Sequence, residues 1–256
     1  MVTNANNFHQ DNGIMQCQHF SSENPTILVI PDRNTETTAS FVDLAFNSIS
    51  HYQDYKRVFL ISDITMPPSS KCVNVNSAEP TIYLPEPSNE VYSKCQRGTL
   101  PFEASGLEEV QLSTSAFVNF AKIFATPLNK LKNVTELTSK QFYLLATSNI
   151  KASHLCDFIR IMLPSRNDLF IFQATLSAGN SEAETKISDT SIITALLAQS
   201  TSIKKSTTRC APLFKTIVCM GHAMHLRPNV LAYAPIQINP QIKTRFRGVC
   251  SIAYFF

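Results

Sequence analysis

The sequence predicts an α/β fold: a single domain with a central, largely parallel or mixed sheet flanked by helices. Three observations predict it. Short apolar runs at Thr26–Ile30, Val58–Ile61, Gln141–Ala146 and Leu169–Phe172 have the length of strands buried on both faces. Segments with helical spacing of apolar residues lie between most of them, so strands and helices alternate along the chain. Of the 256 residues, 44% are hydrophobic and 16% charged, which supports a substantial core and argues against global disorder.

Taken in order, residues 1–25 are rich in Asn, Gln, Ser and His and read as a flexible polar tail, leaving residues 26–256 as the domain. Thr26–Ile30 is the first strand, closed by Pro31. Phe41, Leu44, Ala45, Ser48 and Ile49 place a helix within Thr35–Ser50. With the strand at Val58 this makes a βαβ unit, hence a parallel pair with a right-handed crossover. Lys71–Pro101 reads as loop, with a short strand at Ile82–Leu84 and a short helix at Glu90–Cys95. Leu107–Phe124 carries apolar residues on a helical face. Pro127–Lys140 is a polar linker with a helical turn at Leu128–Leu131. The Gln141 strand, a helix over Ser153–Leu163 and the Leu169 strand follow. Ala178–Lys186 is a polar loop, after which Asp189 caps a helix running to about Ala198. Ser200–Arg209 is a second polar loop and Pro212–Met224 a helix. Strands at Val230–Ala234 and Val249–Phe255 close the chain. No internal repeat or domain boundary stands out.

Composition excludes several classes. Net charge is +3, too mild to imply nucleic acid. No apolar run approaches membrane-spanning length, and the first residues lack the apolar core of a secretory signal. Seven cysteines, an odd number without a C-x-x-C pair, argue against a disulfide scaffold and for a reducing, cytoplasmic setting. There the Asn133-Val134-Thr135 glycosylation pattern carries no meaning.

Ligands of α/β proteins gather beyond the carboxyl ends of the strands. After Val58–Ile61 that position holds Ser62, Asp63, Ile64, Thr65 and Met66, with no histidine, cysteine or glycine-rich phosphate loop.

Several stretches, in order, resemble the Memo family, which includes the AmmeMemoRadiSam system protein B and shares a fold with the class III extradiol dioxygenases. They are KRVFLISDITMPPSSKC from Lys56, Glu109–Leu112, NDLFIFQATLSAGN from Asn167, DTSIITALLAQ from Asp189, Cys210, and LAYAPIQINPQIKTRFRGVCSIAYFF from Leu231. Each is weak alone; their collinear order carries the likeness, from about Ile27 onward. The resemblance implies the fold and withdraws the chemistry. Where the family has Pro-His after the first strand, this chain has Pro31-Asp32. Thr65-Met66 replaces His-His, and the histidine of the Glu-His-Ser motif falls near Gly106. Ala174-Thr175 to Ala178 replaces the Ser-Ser-Asp-x-x-His segment. Cys210 alone is kept, followed by Ala211 rather than Gly.

The resemblance therefore places Asp32, Asp63, Thr65, Met66, Thr175, Ala178 and Cys210 around the old cleft. Asp32, Met66 and Cys210 are the remnant metal candidates, Met66 suiting a soft ion such as Cu(I). The plainer reading is that Asp32 caps a turn, Met66 fills space and Cys210 is a small buried hydrophobe. Cys219, His222 and His225, three apart on one helical face, are a further candidate clip, although one helix supplies no fourth ligand. Covalent catalysis by Cys210 would need a nearby base. Lys243, Arg245 and Arg247 read as a solvated edge or as a binder of phosphate or an acidic peptide.

These readings favour a divergent Memo-like protein without the family's histidine site, a pseudoenzyme acting as a non-catalytic interaction or scaffold protein. No cofactor is then expected, and the partner is a protein or peptide, in a hetero- or homo-oligomer. Memo proteins are associated with phosphotyrosine-peptide binding and cell motility. The alternatives are a metal-dependent redox enzyme using copper or iron at Cys210, and a regulatory partner of an intact relative.

Overall fold

The computed structural model describes residues 8–11, 14–17, 23–32, 36–63, 81–84, 108–111, 141–148, 152–161, 164–238 and 245–256. The strands are β1 (Phe8–Asp11), β2 (Ile14–Cys17), β3 (Ile27–Ile30), β4 (Arg57–Asp63), β5 (Thr81–Leu84), β6 (Glu108–Gln111), β7 (Gln141–Ser148), β8 (Asp168–Gln173), β9 (Ala178–Gly179), β10 (Arg227–Gln237) and β11 (Phe246–Phe255). The helices are α1 (Glu36–Asn47), α2 (Ala152–Ile161), α3 (Glu182–Leu197) and α4 (Ala211–Ala223), with a 3-10 turn at Tyr52–Asp54.

The strands form one mixed sheet in the order β1-β2-β10-β11-β3-β8-β4-β7-β5-β6, with β9 on β11. Its centre is parallel: β8 pairs with β3 on one side and β4 on the other, and β4 pairs with β7. These strands are the continuous apolar runs. Ile27–Ile30, Val58–Ile61 and Leu169–Phe172 are buried, as residues covered on both sheet faces must be. The β10–β11 hairpin joins the other side of β3 antiparallel.

One face carries the main core, where Leu155 and Ile159 of α2, Ile192 and Leu196 of α3, and Phe214, Ile217 and Val218 of α4 meet Phe59, Phe170 and Phe172. The opposite face carries α1, whose Phe41 packs with Ala232, Ala234 and Val249. At the start of β4, Asp168 is buried and holds Arg57 through two bonds of 2.8 and 2.6 Å, while Ser165 also donates to it.

Several expectations are corrected. The strands of the β3–α1–β4 unit are parallel but not paired, because β8 enters between them; its residues are apolar on both faces and complete both ladders. The expected helix over Leu107–Phe124 begins instead with a strand, β6, whose backbone pairs with β5; residues 112–124 lie outside the described residues. The loop at Ala178–Lys186 contains β9 and the first turn of α3. That helix starts seven residues before Asp189, because the Ser181 side chain accepts from Glu184 N at its N-terminus. The final strands are longer than expected, since their ladder runs from Arg227↔Phe255 to Gln237↔Phe246. Within residues 1–25, β1 and β2 pair with each other and β2 pairs with β10. The helix at Glu90–Cys95 and the turn at Leu128–Leu131 fall outside the described residues.

Candidate functional site

At the carboxyl ends of β3 and β8 the chain opens into a cavity of about 250 Å³. It is the position where α/β sheets collect ligands, at the meeting of strands whose connections run to opposite sides. Ile30 pairs with Gln173, and Ala174 N donates to Ile30 O at 2.9 Å. Beyond that point β8 leaves β3 for β11: Leu176 N bonds Gly248 O and Gly248 N bonds Ser177 O, both at 3.0 Å. The diverging chain forms one wall with Thr175 to Ala178, and the loop Lys205–Arg209 forms the other. Thr208 ties the walls together. Its hydroxyl donates to Thr175 O at 3.2 Å and accepts from Cys210 N at 3.1 Å.

The charges around this cleft are mostly positive. Lys205, Arg209 and Arg247 line it. Asp32, directly after β3, lies against both arginines, 2.5 Å from Arg209 and 3.4 Å from Arg247. Burial works against the charge on Arg209, but Asp32 and the Cys210 thiol oppose that penalty and the net shift is upward, so the guanidinium stays charged. Ser177, Ser206, Thr207 and Thr208 add hydroxyls. Thr175 is 5% exposed, and its Oγ1 finds no hydrogen-bond partner among the described residues. A buried hydroxyl left so costs roughly 1–3 kcal/mol until an oxygen or nitrogen reaches it.

Beneath Ser177 lies a buried polar trio. Ser177 Oγ donates to Asp189 Oδ1 at 2.6 Å, and Tyr233 Oη donates to Oδ2 at 2.9 Å. Asp189 has no exposed surface and packs against Gly248, where any side chain would overlap its carboxyl group. Burial raises the Asp189 pKa above the ordinary carboxylate value, and the bonds from Ser177 and Tyr233 oppose the shift. Burial also pushes the Tyr233 and Cys250 ionisations up, with the Asp189 charge adding to both. With both oxygens engaged and no exposure, Asp189 fixes Ser177 and Tyr233 rather than contacting a ligand.

Of the residues expected around the cleft, Thr175 and Ala178 line it and Asp32 is tied to its arginines. Cys210 is buried at the N-terminus of α4, against Arg209 and beside Cys250. Asp63 ends β4, next to Thr147 of β7 in the ladder; Thr65 and Met66 lie outside the described residues. The structure thus brings two of the three remnant metal candidates, Asp32 and Cys210, to one guanidinium. Lys205, Arg209 and Ser177 were missed by the sequence reading; the only local signal was the basic residue beside Cys210. Arg247 is not part of a solvated edge, because its strand lies inside the sheet and its side chain is 14% exposed. The Cys219–His222–His225 clip does not form. His222 Nε2 lies 2.7 Å from Gln199 O, His225 follows the helix with φ 56°, and Cys219 meets α2.

Among the described residues, no group of three or more His, Cys, Asp or Glu is placed to hold a metal ion, and no helix is long and apolar enough to cross a membrane. The sequence matches no protein-family model and no curated protein.

Proposed function

We propose that the chain is a non-catalytic binding protein of Memo-like descent, whose cleft receives a phosphorylated side chain of a peptide or protein partner. The observation that carries this reading is the convergence of Lys205, Arg209 and Arg247 on a cavity floored by hydroxyls, with Asp32 as the carboxylate between the arginines. Arginine presents a planar fork that matches phosphate oxygens, and Lys205 adds a point charge. The unpartnered Thr175 hydroxyl supplies a donor on the inner wall. A volume of about 250 Å³ accommodates a phosphate with part of the side chain that bears it.

The alternative, a copper or iron redox enzyme centred on Cys210, has less support. Asp32 and Cys210 both lie against Arg209, so a metal ion would have to displace a guanidinium from both donors.

Fluorescence anisotropy with a labelled phosphotyrosine peptide and its unphosphorylated twin tests the reading. The phosphorylated peptide is expected to bind selectively, and more weakly as salt rises. Arg209→Gln should weaken it by roughly 10- to 100-fold, the effect of losing a hydrogen bond to a charged group. Equal binding of the two peptides, or unchanged affinity in Arg209→Gln, would overturn it.

A further inference from the structure

The face of the sheet carrying α2 and α4 holds a second cavity, of about 210 Å³, away from the basic cleft. Cys156, Ile159, Arg160 and Pro164 line it from the α2 side, and Cys219, Met220, Ala223 and Met224 from α4. Spacings of three and four on α2, and of four on α4, bring these side chains to facing helix surfaces. Sixty-three residues apart in sequence, Cys156 and Cys219 line the same cavity from facing helices. Both are free thiols; Cys156 is buried and Cys219 is half-buried at the opening.

The donors at this cavity are unusual in kind. Two thiols and two thioethers line it, with no carboxylate or imidazole among the lining residues. Sulfur-only donor sets select soft ions, whereas magnesium and calcium require oxygen ligands and structural zinc takes four Cys, His or carboxylate ligands. We infer that Cys156 and Cys219, completed by a methionine thioether from Met220 or Met224, bind a soft monovalent d10 ion of the Cu(I) class. Metal–sulfur bonds of about 2.3 Å place two thiolates about 4 Å apart around a three-coordinate ion, a span that two cysteines on facing walls of one cavity can meet.

Binding converts two thiols and one cation into a dithiolate complex and releases two protons to solvent, with no change of oxidation state. The complex carries one negative charge, which the Arg160 guanidinium on the cavity wall offsets. Thr216, whose hydroxyl donates to Pro212 O at 2.9 Å, and Arg160, which is paired with Asp157 at 3.7 Å, favour the Cys156 thiolate. Burial, followed by the neighbouring Cys219, nevertheless pushes the Cys156 pKa up to about 12.

The test is an anaerobic titration of the reduced full-length protein with Cu(I), against a chromogenic Cu(I) chelator as competitor. One ion per chain is expected to leave the chelator. Cys219→Ser should weaken capture by more than about 100-fold, and Met224→Leu with Met220→Leu together by roughly 10-fold, whereas Cys250→Ser should leave it unchanged. Cys219 is half-buried, so its serine variant is expected to fold even where Cys156→Ser does not; thermal melting without metal checks both. Failure of the wild type to compete, equal capture by Cys219→Ser, or equal loss in Cys250→Ser would each overturn the site.

Discussion

Asp189 shows how much one residue's surroundings decide. In sequence it is a polar residue before an apolar run and reads as a cap. In the fold it lies within α3, buried against Gly248, with Ser177 and Tyr233 bonded to its two oxygens. Its pKa is raised, burial being the largest cause. A raised folded-state pKa means that the neutral carboxyl contributes stability fully below the ordinary carboxylate range, and that this contribution is lost as pH rises through the folded-state value. The substitution Asp189→Asn keeps the shape of the side chain and removes its ionisation. Urea unfolding at pH 4.5 and pH 8 should therefore show wild-type stability falling relative to Asp189→Asn as pH rises. A constant difference between the two proteins would show that Asp189 does not titrate differently on folding. None of this was legible locally, because burial and both partners of Asp189 come from tertiary placement.

At the scale of elements, α3 carries its own start signal in Ser181-Glu182-Ala183-Glu184. Ser181 Oγ accepts from Glu184 N at 3.1 Å, and Glu184 Oε2 accepts from Asn180 N at 3.0 Å. This reciprocal pattern is a capping box shifted by one residue. Ser181→Ala should cost about 1 kcal/mol in chemical denaturation, with an unchanged slope, and Ser181→Asp should restore most of it. The signal was present but was overridden by the apolar run beginning at Ile192, since the first turns of α3 are mostly exposed and polar. Strands β3, β4 and β8 were legible because residues covered on both faces leave uninterrupted apolar runs. The helix read from Leu107 failed at Glu108–Gln111, where pairing with β5 decides the conformation. The cleft was half legible for a related reason. The carboxyl ends of strands can be read from the runs that precede them, but that reading pointed to Ser62–Met66, and Asp32, Thr175 and Ala178 came from the resemblance to the Memo family. The opposite wall, Lys205–Arg209, is tied down by the Thr208 hydroxyl bonded 33 residues away and by the Arg209–Asp32 pair 177 residues apart, and no local pattern encodes either.

For the whole molecule, the central position of β8 couples the parts. It pairs with β3 and β4, its Phe170 stacks on Phe59 with centroids 4.5 Å apart, and its continuation forms a wall of the cleft. The sheet's two faces are unequal. Three helices bury the face bearing Phe170 in the large cluster, whereas Phe41 of α1 belongs to a small cluster on the other. Truncating either phenylalanine removes similar apolar area, so any difference must come from how far the surroundings relax into the space left behind. Phe170 is enclosed by strands on both sides and a stacked ring, which hold the cavity open. Phe41 sits on a single helix with small neighbours, and α1 can settle toward the sheet. Phe170→Ala should therefore cost close to 5 kcal/mol and Phe41→Ala close to 3, the two ends of the usual range of about 3–5 kcal/mol for such truncations. Urea midpoints at constant slope give both numbers. A larger loss for Phe41→Ala would mean that the β10–β11 side under α1, rather than the parallel centre, is the part of the sheet that holds the fold together.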